Sequence, residues 1–190
     1  MGFKIEYLKS YFAQVRVKKI RSWVIEIVIT IVLAAILSLS FCQTVALQES
    51  SMDPTFCAGE KLLVNRLSYK IGSPQRGDVI AFRISSDKKG STHIKRVIGV
   101  PGDTIQIQDG KILINGKQYV EERDLPSIVN PGIAEEEITL DKDEYFVLGD
   151  NRNSSEDSRF ADIGNVKKDN IIGKIWFVIS PMNKIGLVKD

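Results

Sequence analysis

One histidine, His93, and two cysteines, Cys42 and Cys57, are all this chain holds of the side chains most used for metal ligation and covalent catalysis. Two cysteines do not make a disulfide framework, and no Cys/His spacing has the form of a zinc site. Cys42 ends an apolar run, so it is not expected to pair with Cys57. The sequence offers no site for a metal or a nucleotide, and no cofactor is expected. Internal repeats and low-complexity tracts are absent. A dominant charge of one sign is lacking too: the net charge is only +2 over 190 residues. That small value hides an asymmetry. Lys4, Lys9, Arg16, Lys18, Lys19 and Arg21 crowd the first 21 residues against the single acid Glu6, and the remainder carries a slight acidic excess. A slightly acidic body excludes nucleic acid as an expected partner.

Long apolar runs are scarce as well, and the one present is informative. Trp23 to Cys42 is apolar apart from Glu26, Thr30, Ser38 and Ser40. Twenty residues of helix span about 30 Å, the thickness of a bilayer's hydrocarbon core. The basic residues before it predict a cytoplasmic N-terminus and an extracytoplasmic body. A cleaved signal peptide is the competing reading, but the run exceeds the usual signal core of about 7–15 residues. The expected division is therefore a basic cytoplasmic segment over 1–21, a transmembrane anchor over 22–43 and an extracytoplasmic domain over 44–190. The lipid bilayer is an expected partner.

The body reads as mostly β. Extended or strand-like stretches fall at 43–48, 61–67, 79–84, 92–100, 145–148 and 171–179, the last stopped by Pro181. Ile105 and Ile107, Asp109-Gly110, then Ile112 and Ile114 form the clearest hairpin, and Asn115-Gly116 offers a second tight turn. Segment 121–144 is acidic and contains Pro126, Pro131 and Glu135-Glu136-Glu137, which predicts a surface excursion. In the strand over 92–100, period-2 alternation puts His93, Lys95 and Val97 on one face and Ile94, Arg96 and Ile98 on the other. Lys95 and Arg96 therefore cannot both face solvent.

A candidate nucleophile, Ser51, lies a few residues past the apolar run. A serine attacks only if its proton is removed, and the base is either a histidine or an uncharged lysine. His93 is the sole histidine. Lysine is ordinarily protonated, with a pKa of about 10.4, but burial lowers that value by up to about 3–5 units. Lys95, flanked by Ile94 and Val97, is placed for such burial, though a surface Lys-Arg pair on an edge strand would look the same.

Four stretches taken together are more specific. They are Ser51-Met52-Asp53-Pro54-Thr55-Phe56; Arg76-Gly77-Asp78-Val79-Ile80-Ala81-Phe82; Lys95-Arg96-Val97-Ile98-Gly99-Val100-Pro101-Gly102-Asp103; and Gly149-Asp150-Asn151-Arg152-Asn153-Ser154-Ser155-Glu156-Asp157-Ser158-Arg159. In this order, behind a basic segment and an anchor, they resemble the bacterial type I signal peptidases, particularly the short Gram-positive form. The resemblance implies a membrane-bound serine endopeptidase of signal-peptidase β fold. Such an enzyme removes signal peptides from exported preproteins after small residues at −1 and −3, using a Ser/Lys dyad. It implies Ser51 as nucleophile, Lys95 as general base, Ser155 orienting the Lys95 amine, and Asp157 and Arg159 pairing to hold that loop. An Arg96–Asp150 ion pair is implied too. Met52, Val45, Leu47, Ile80, Phe82 and Ile94 are expected to line the small substrate pockets.

The sequence departs from the pattern at one place. Where some members carry a serine hydroxyl two residues before the nucleophile and others glycine, this chain has Glu49. A carboxylate repels an oxyanion and cannot donate to it unless protonated. Glu49 is therefore expected to turn away, leaving the Ser51 N–H as the oxyanion donor. Glu49 also supports an alternative: a catalytically weak homologue acting as a membrane-tethered binding module.

Overall fold

The computed structural model describes residues 19–36, 41–84 and 90–188. Two compact units divide it, residues 1–41 and 42–190. In the first, residues 19–36 are helical and every one is exposed, including Trp23, Ile25, Val28, Ile31, Leu33 and Ile36. Among the described residues no helix is long and apolar enough to cross a membrane. Lys19, Arg21 and Glu26 lie within this helix, while residues 37–40 of the apolar run, most of the basic segment and most of the loop over 85–91 lie outside the described residues.

The second unit is built from antiparallel strands. The larger sheet contains β1 (Cys42–Ala46), β2 (Lys61–Asn65), β3 (Val79–Arg83) and β4 (Thr92–Gly99). It is completed by β9 (Glu144–Leu148), β10 (Val166–Lys167), β11 (Ile171–Ser180) and β12 (Gly186–Leu187). Its order is β1-β2-β11-β3-β4-β9-β10, with β12 also paired to β11. The smaller sheet orders β7 (Lys117–Gln118), β6 (Lys111–Ile114), β5 (Thr104–Gln108) and β8 (Ile138–Thr139). Its two tight turns follow the sequence chemistry: Asp109-Gly110 and Asn115-Gly116 all take positive φ, the requirement of the two-residue hairpin turn that matches strand twist.

Alternation along β4 sorts its side chains among three cores. Ile94 joins Leu47, Met52, Leu62 and Ile175. Val97 joins Ile80, Phe82, Tyr145 and Val147. Ile98 joins Ile105, Phe146 and Leu148 in a core that packs against the smaller sheet. Segment 121–144, expected to be a surface excursion, also supplies Ile128, Ala134 and Leu140 to that third core, and its Ile138–Thr139 strand pairs with β5. The acidic composition masked these anchors because they are single apolar residues with no shared period.

Arg96 is buried within β4 and solves its charge by pairing. Its Nε donates to Asp150 Oδ1 at 2.8 Å, its Nη2 to Asp150 Oδ2 at 2.6 Å and its Nη1 to the Gly77 carbonyl at 2.7 Å. The Thr55 hydroxyl donates to the same Asp150 carboxylate at 2.5 Å. Next in the chain, the Asn151 N–H donates to the Ser51 carbonyl at 3.0 Å and its side-chain amide to the Ser50 carbonyl at 3.2 Å. One buried carboxylate thus joins the turn at 51–55, strand β4 and the loop after β9. Burial alone would push the Asp150 carboxyl up, yet the Arg96 guanidinium, the Thr55 hydroxyl and the Arg152 charge hold it below the usual carboxylate range.

Two stability outcomes follow. Gly173 lies where β11 passes β2, and a Cβ there would run into the Asn65 carbonyl. Gly173→Ala should cost about 1–3 kcal/mol in chemical denaturation, whereas Gly186→Ala, with open space around its Cα, should shift the midpoint little. Because the folded pKa of Asp150 lies below its unfolded value, the pair's stabilisation is complete above the unfolded carboxylate value of about 3.9 and is lost as pH falls through the folded value. Asp150→Asn should cost about 3–5 kcal/mol at pH 7 by leaving Arg96 unpaired, and that deficit should shrink in denaturation curves taken well below about pH 4.

Candidate active site

The turn that begins at Ser51 follows directly on β1 and the extended Leu47, whose N–H donates to the Glu60 carbonyl at 2.9 Å. The Asp53 N–H donates to the Ser50 carbonyl at 3.1 Å and the Phe56 N–H to the Met52 carbonyl at 3.0 Å, which tightens the turn. Met52 is fully buried beneath it. Lys95 extends from the opposite face of β4 to Ile94, and its register partner on β3 is Ile80, a member of the core that also holds Val97. Its amine reaches Ser51: Nζ donates to Oγ at 2.7 Å. Lys95 is 0% exposed and Ser51 3%. Burial holds the Lys95 amine below the ordinary lysine value, against the opposing pull of Glu49 and, more weakly, of Asp157 and Glu156. An amine that gives up its proton at this distance can take the hydroxyl proton as the oxygen attacks an electrophile. The Ser51 N–H has no hydrogen-bond partner among the described residues and remains available as a donor.

Glu49 does not turn away as expected. Its Oε2 accepts from Lys95 Nζ at 3.3 Å and from Ser51 Oγ at 3.5 Å, and its Oε1 lies 3.8 Å from His93 Nδ1. The reason is electrostatic. Among the described residues no other anion touches the Lys95 amine, so it draws the nearest carboxylate, and a side chain still 53% exposed loses little hydration in answering. Among the described residues His93 meets the cluster through Glu49, and its ring packs on Phe82 at 5.7 Å.

Ser155 also differs from expectation. Its hydroxyl donates to the Glu156 carbonyl at 3.5 Å and makes no hydrogen bond to Lys95. It is nonetheless close to the centre, because a Cβ on Gly149 would overlap both Ser155 Oγ and the Ser51 carbonyl oxygen. Glu49 has taken the contact on the amine that Ser155 was expected to make. Asp157 and Arg159 pair in two parallel hydrogen bonds, both 2.8 Å, and Asp157 Oδ2 accepts from the Gly149 N–H at 3.0 Å. Arg159 Nη1 also donates to the Asn130 carbonyl at 3.1 Å.

The six residues expected to line substrate pockets divide between two cores. Val45, Leu47, Met52 and Ile94 belong to one. Ile80 and Phe82 belong to another, on the Lys95 side of the sheet, and face Lys95 and His93 across the β3–β4 register. Sequence reasoning missed Thr55 as an Asp150 partner and the Arg152–Glu121 pair at 2.5 Å. Thr55 stands in the same motif as Ser51, so its spacing carried a signal; Glu121 stands in the acidic segment and carried none. Among the described residues no group of His, Cys, Asp or Glu is placed to hold a metal ion.

The sequence profile of the family described as "Signal peptidase, peptidase S26" matches residues 20–180. "Signal peptidase I" of Bacillus licheniformis is 35% identical over 170 residues, 86% of this chain and 90% of that protein. "Signal peptidase IB" of Staphylococcus aureus is 32% identical over 187 residues, 88% of this chain and 93% of that protein. The crystal structure of a signal peptidase I from Enterococcus faecalis aligns at 34% identity and a TM-score of 0.43, over 53% of this chain and 95% of that one. The profile match spans most of the chain and the relatives are alike over nearly their whole length, so this chain belongs to the signal peptidase family, peptidase S26.

Proposed function

We propose that this chain is a membrane-tethered serine endopeptidase that removes signal peptides from exported preproteins with a Ser51/Lys95 dyad. The observation that carries the dyad is the 2.7 Å contact between a fully buried amine and a buried hydroxyl. Ser51 Oγ attacks the scissile carbonyl while its proton passes to the neutral Lys95 amine. The Ser51 N–H donates to the oxyanion that forms, the kind of contact whose loss typically costs about 10²–10³ in turnover. Collapse of the tetrahedral intermediate breaks the C–N bond, and Lys95 returns the proton to the leaving amine. The signal peptide is then held as an ester on Ser51. A water molecule attacks this ester, its proton going to Lys95, and a second collapse frees the peptide and returns the proton to Ser51. Asp157 and Arg159 hold the Gly149 loop against the Ser51 turn, and Ser155 supports that contact.

The substrate binds extended, with small residues at −1 and −3 in shallow apolar recesses. Val45, Leu47, Met52, Ile80, Phe82 and Ile94 are the candidate walls, and large side chains are excluded sterically. The apolar run Trp23 to Cys42 supports an anchor over 22–43, with 1–21 cytoplasmic and 44–190 extracytoplasmic. A helix apolar on all sides is what a membrane favours, and residues 20–36 expose apolar side chains around its circumference. The precursor's own apolar segment sits in the same bilayer, so anchoring raises the effective concentration of the scissile bond without new contacts.

Ser51→Ala and Lys95→Ala should each lower cleavage of an exported precursor by about 10³-fold or more, and His93→Ala should retain most of it. Full cleavage by the Lys95→Ala protein would remove the dyad. Because the Lys95 pKa is lowered, the amine is neutral above that value. Cleavage should rise as pH climbs through a value below the free-lysine figure of about 10.4, measured as kcat/KM on a synthetic precursor peptide.

A further inference from the structure

Glu49 has no part in the chemistry just described, and by charge it opposes it. Its carboxylate touches both members of the pair, at 3.3 Å from Lys95 Nζ and 3.5 Å from Ser51 Oγ. Ser51 is only 3% exposed, and Glu49 stands against its oxygen on the side a peptide carbonyl would have to approach from water. Two side chains hydrogen-bond that oxygen. Lys95 is sealed in the core, whereas Glu49 is half-exposed and can leave towards water without opening a cavity. The backbone permits this. Leu47 is bonded to Glu60 and Gly59, and the Ser50 carbonyl accepts from Asp53 and Asn151, but residues 48 and 49 between them make no backbone hydrogen bond among the described residues.

We propose that the Glu49 carboxylate is a displaceable cap on the Ser51–Lys95 pair, closing it in the free protein and driven off when a peptide enters. The proposal rests on the dyad chemistry above. A carboxylate beside the amine favours its charged, inactive form, and a carboxylate beside Ser51 would face the developing oxyanion. Both penalties vanish once peptide displaces it. The other titratable groups near the centre stand on other segments: Asp157 and Glu156 act on Lys95 from the loop after β9, with Asp157 tied to Arg159, and His93 faces Glu49 from β4. Peptide entry thus removes the charge that favours the protonated base as well as delivering the carbonyl, which favours nucleophile activation in the bound complex.

The test is the pH dependence of cleavage by the full chain, with a precursor peptide lacking side chains that titrate between about pH 5 and 10. The acidic limb of kcat/KM reports the free enzyme and that of kcat the bound complex. In the unsubstituted protein the kcat limb should lie about one pH unit or more below the kcat/KM limb. In Glu49→Gln and Glu49→Ala the kcat/KM limb should fall to meet it. Coincident limbs in the unsubstituted protein, a split that survives in both variants, or loss of cleavage at every pH in both variants would overturn the cap. Those results leave the dyad standing if Lys95→Ala is inactive; an active Lys95→Ala protein would instead sink the chemistry on which the cap depends.

Discussion

Strand β4 buries two adjacent cations, Lys95 and Arg96, and everything around the site follows from the two ways a buried cation can be tolerated. A guanidinium does not give up its proton, so it must be matched by an anion and by acceptors for its remaining N–H groups. Arg96 finds these in Asp150 and the Gly77 carbonyl. An ammonium can instead lose its proton when desolvated. Burial draws Lys95 toward that second course by lowering its pKa, with a neutral hydroxyl as its shortest contact and Glu49 pulling the other way. Because strand alternation points the two side chains to opposite faces, the solutions do not interfere.

The paired cation supports the neutral one. Asp150 carries Thr55 as well as Arg96, and its neighbour Asn151 holds the Ser50 and Ser51 carbonyls. The turn bearing Ser51 is therefore fixed by the same loop that satisfies Arg96, in register with the amine one residue away. The Asp157–Arg159 pair repeats the device a few residues later, tying the Gly149 amide and the Asn130 carbonyl into one frame. Gly149 allows this closeness because any side chain there would occupy the space of Ser155 and the Ser51 carbonyl. Glu49 is the member out of keeping with the rest: Asp150 and Asp157 are matched by Arg96 and Arg159, while Glu49 is matched by the group whose neutrality the chemistry needs. Local conflicts of this kind gather at functional sites.

The elements built on short-range rules could be read directly. The Asp109-Gly110 and Asn115-Gly116 turns, the strand at 92–100, the buried strand at 145–148 and the end at Pro181 depend on residues within a few positions of one another. The ordering of the four motifs, which carry Ser51, Asp78, Lys95 and Asp157 in turn, was equally plain. Less legible were features whose partners lie far along the chain. Thr55 meets Asp150 and Arg152 meets Glu121, and no local pattern names either partner. Ile128, Ala134 and Leu140 are lone anchors in an acidic segment, invisible to periodicity.

What the sequence determined by itself was therefore the mostly β plan, the alternation that separates Lys95 from Arg96, and the family to which the motifs belong. These rest on backbone geometry and on residue order, both local properties. Only the tertiary structure decided that the amine meets the hydroxyl at 2.7 Å, that Ser155 stands aside and that Glu49 leans in. Those choices depend on which hydrogen-bonding groups the fold brings within about 3 Å of one another, and on how much water it leaves around each.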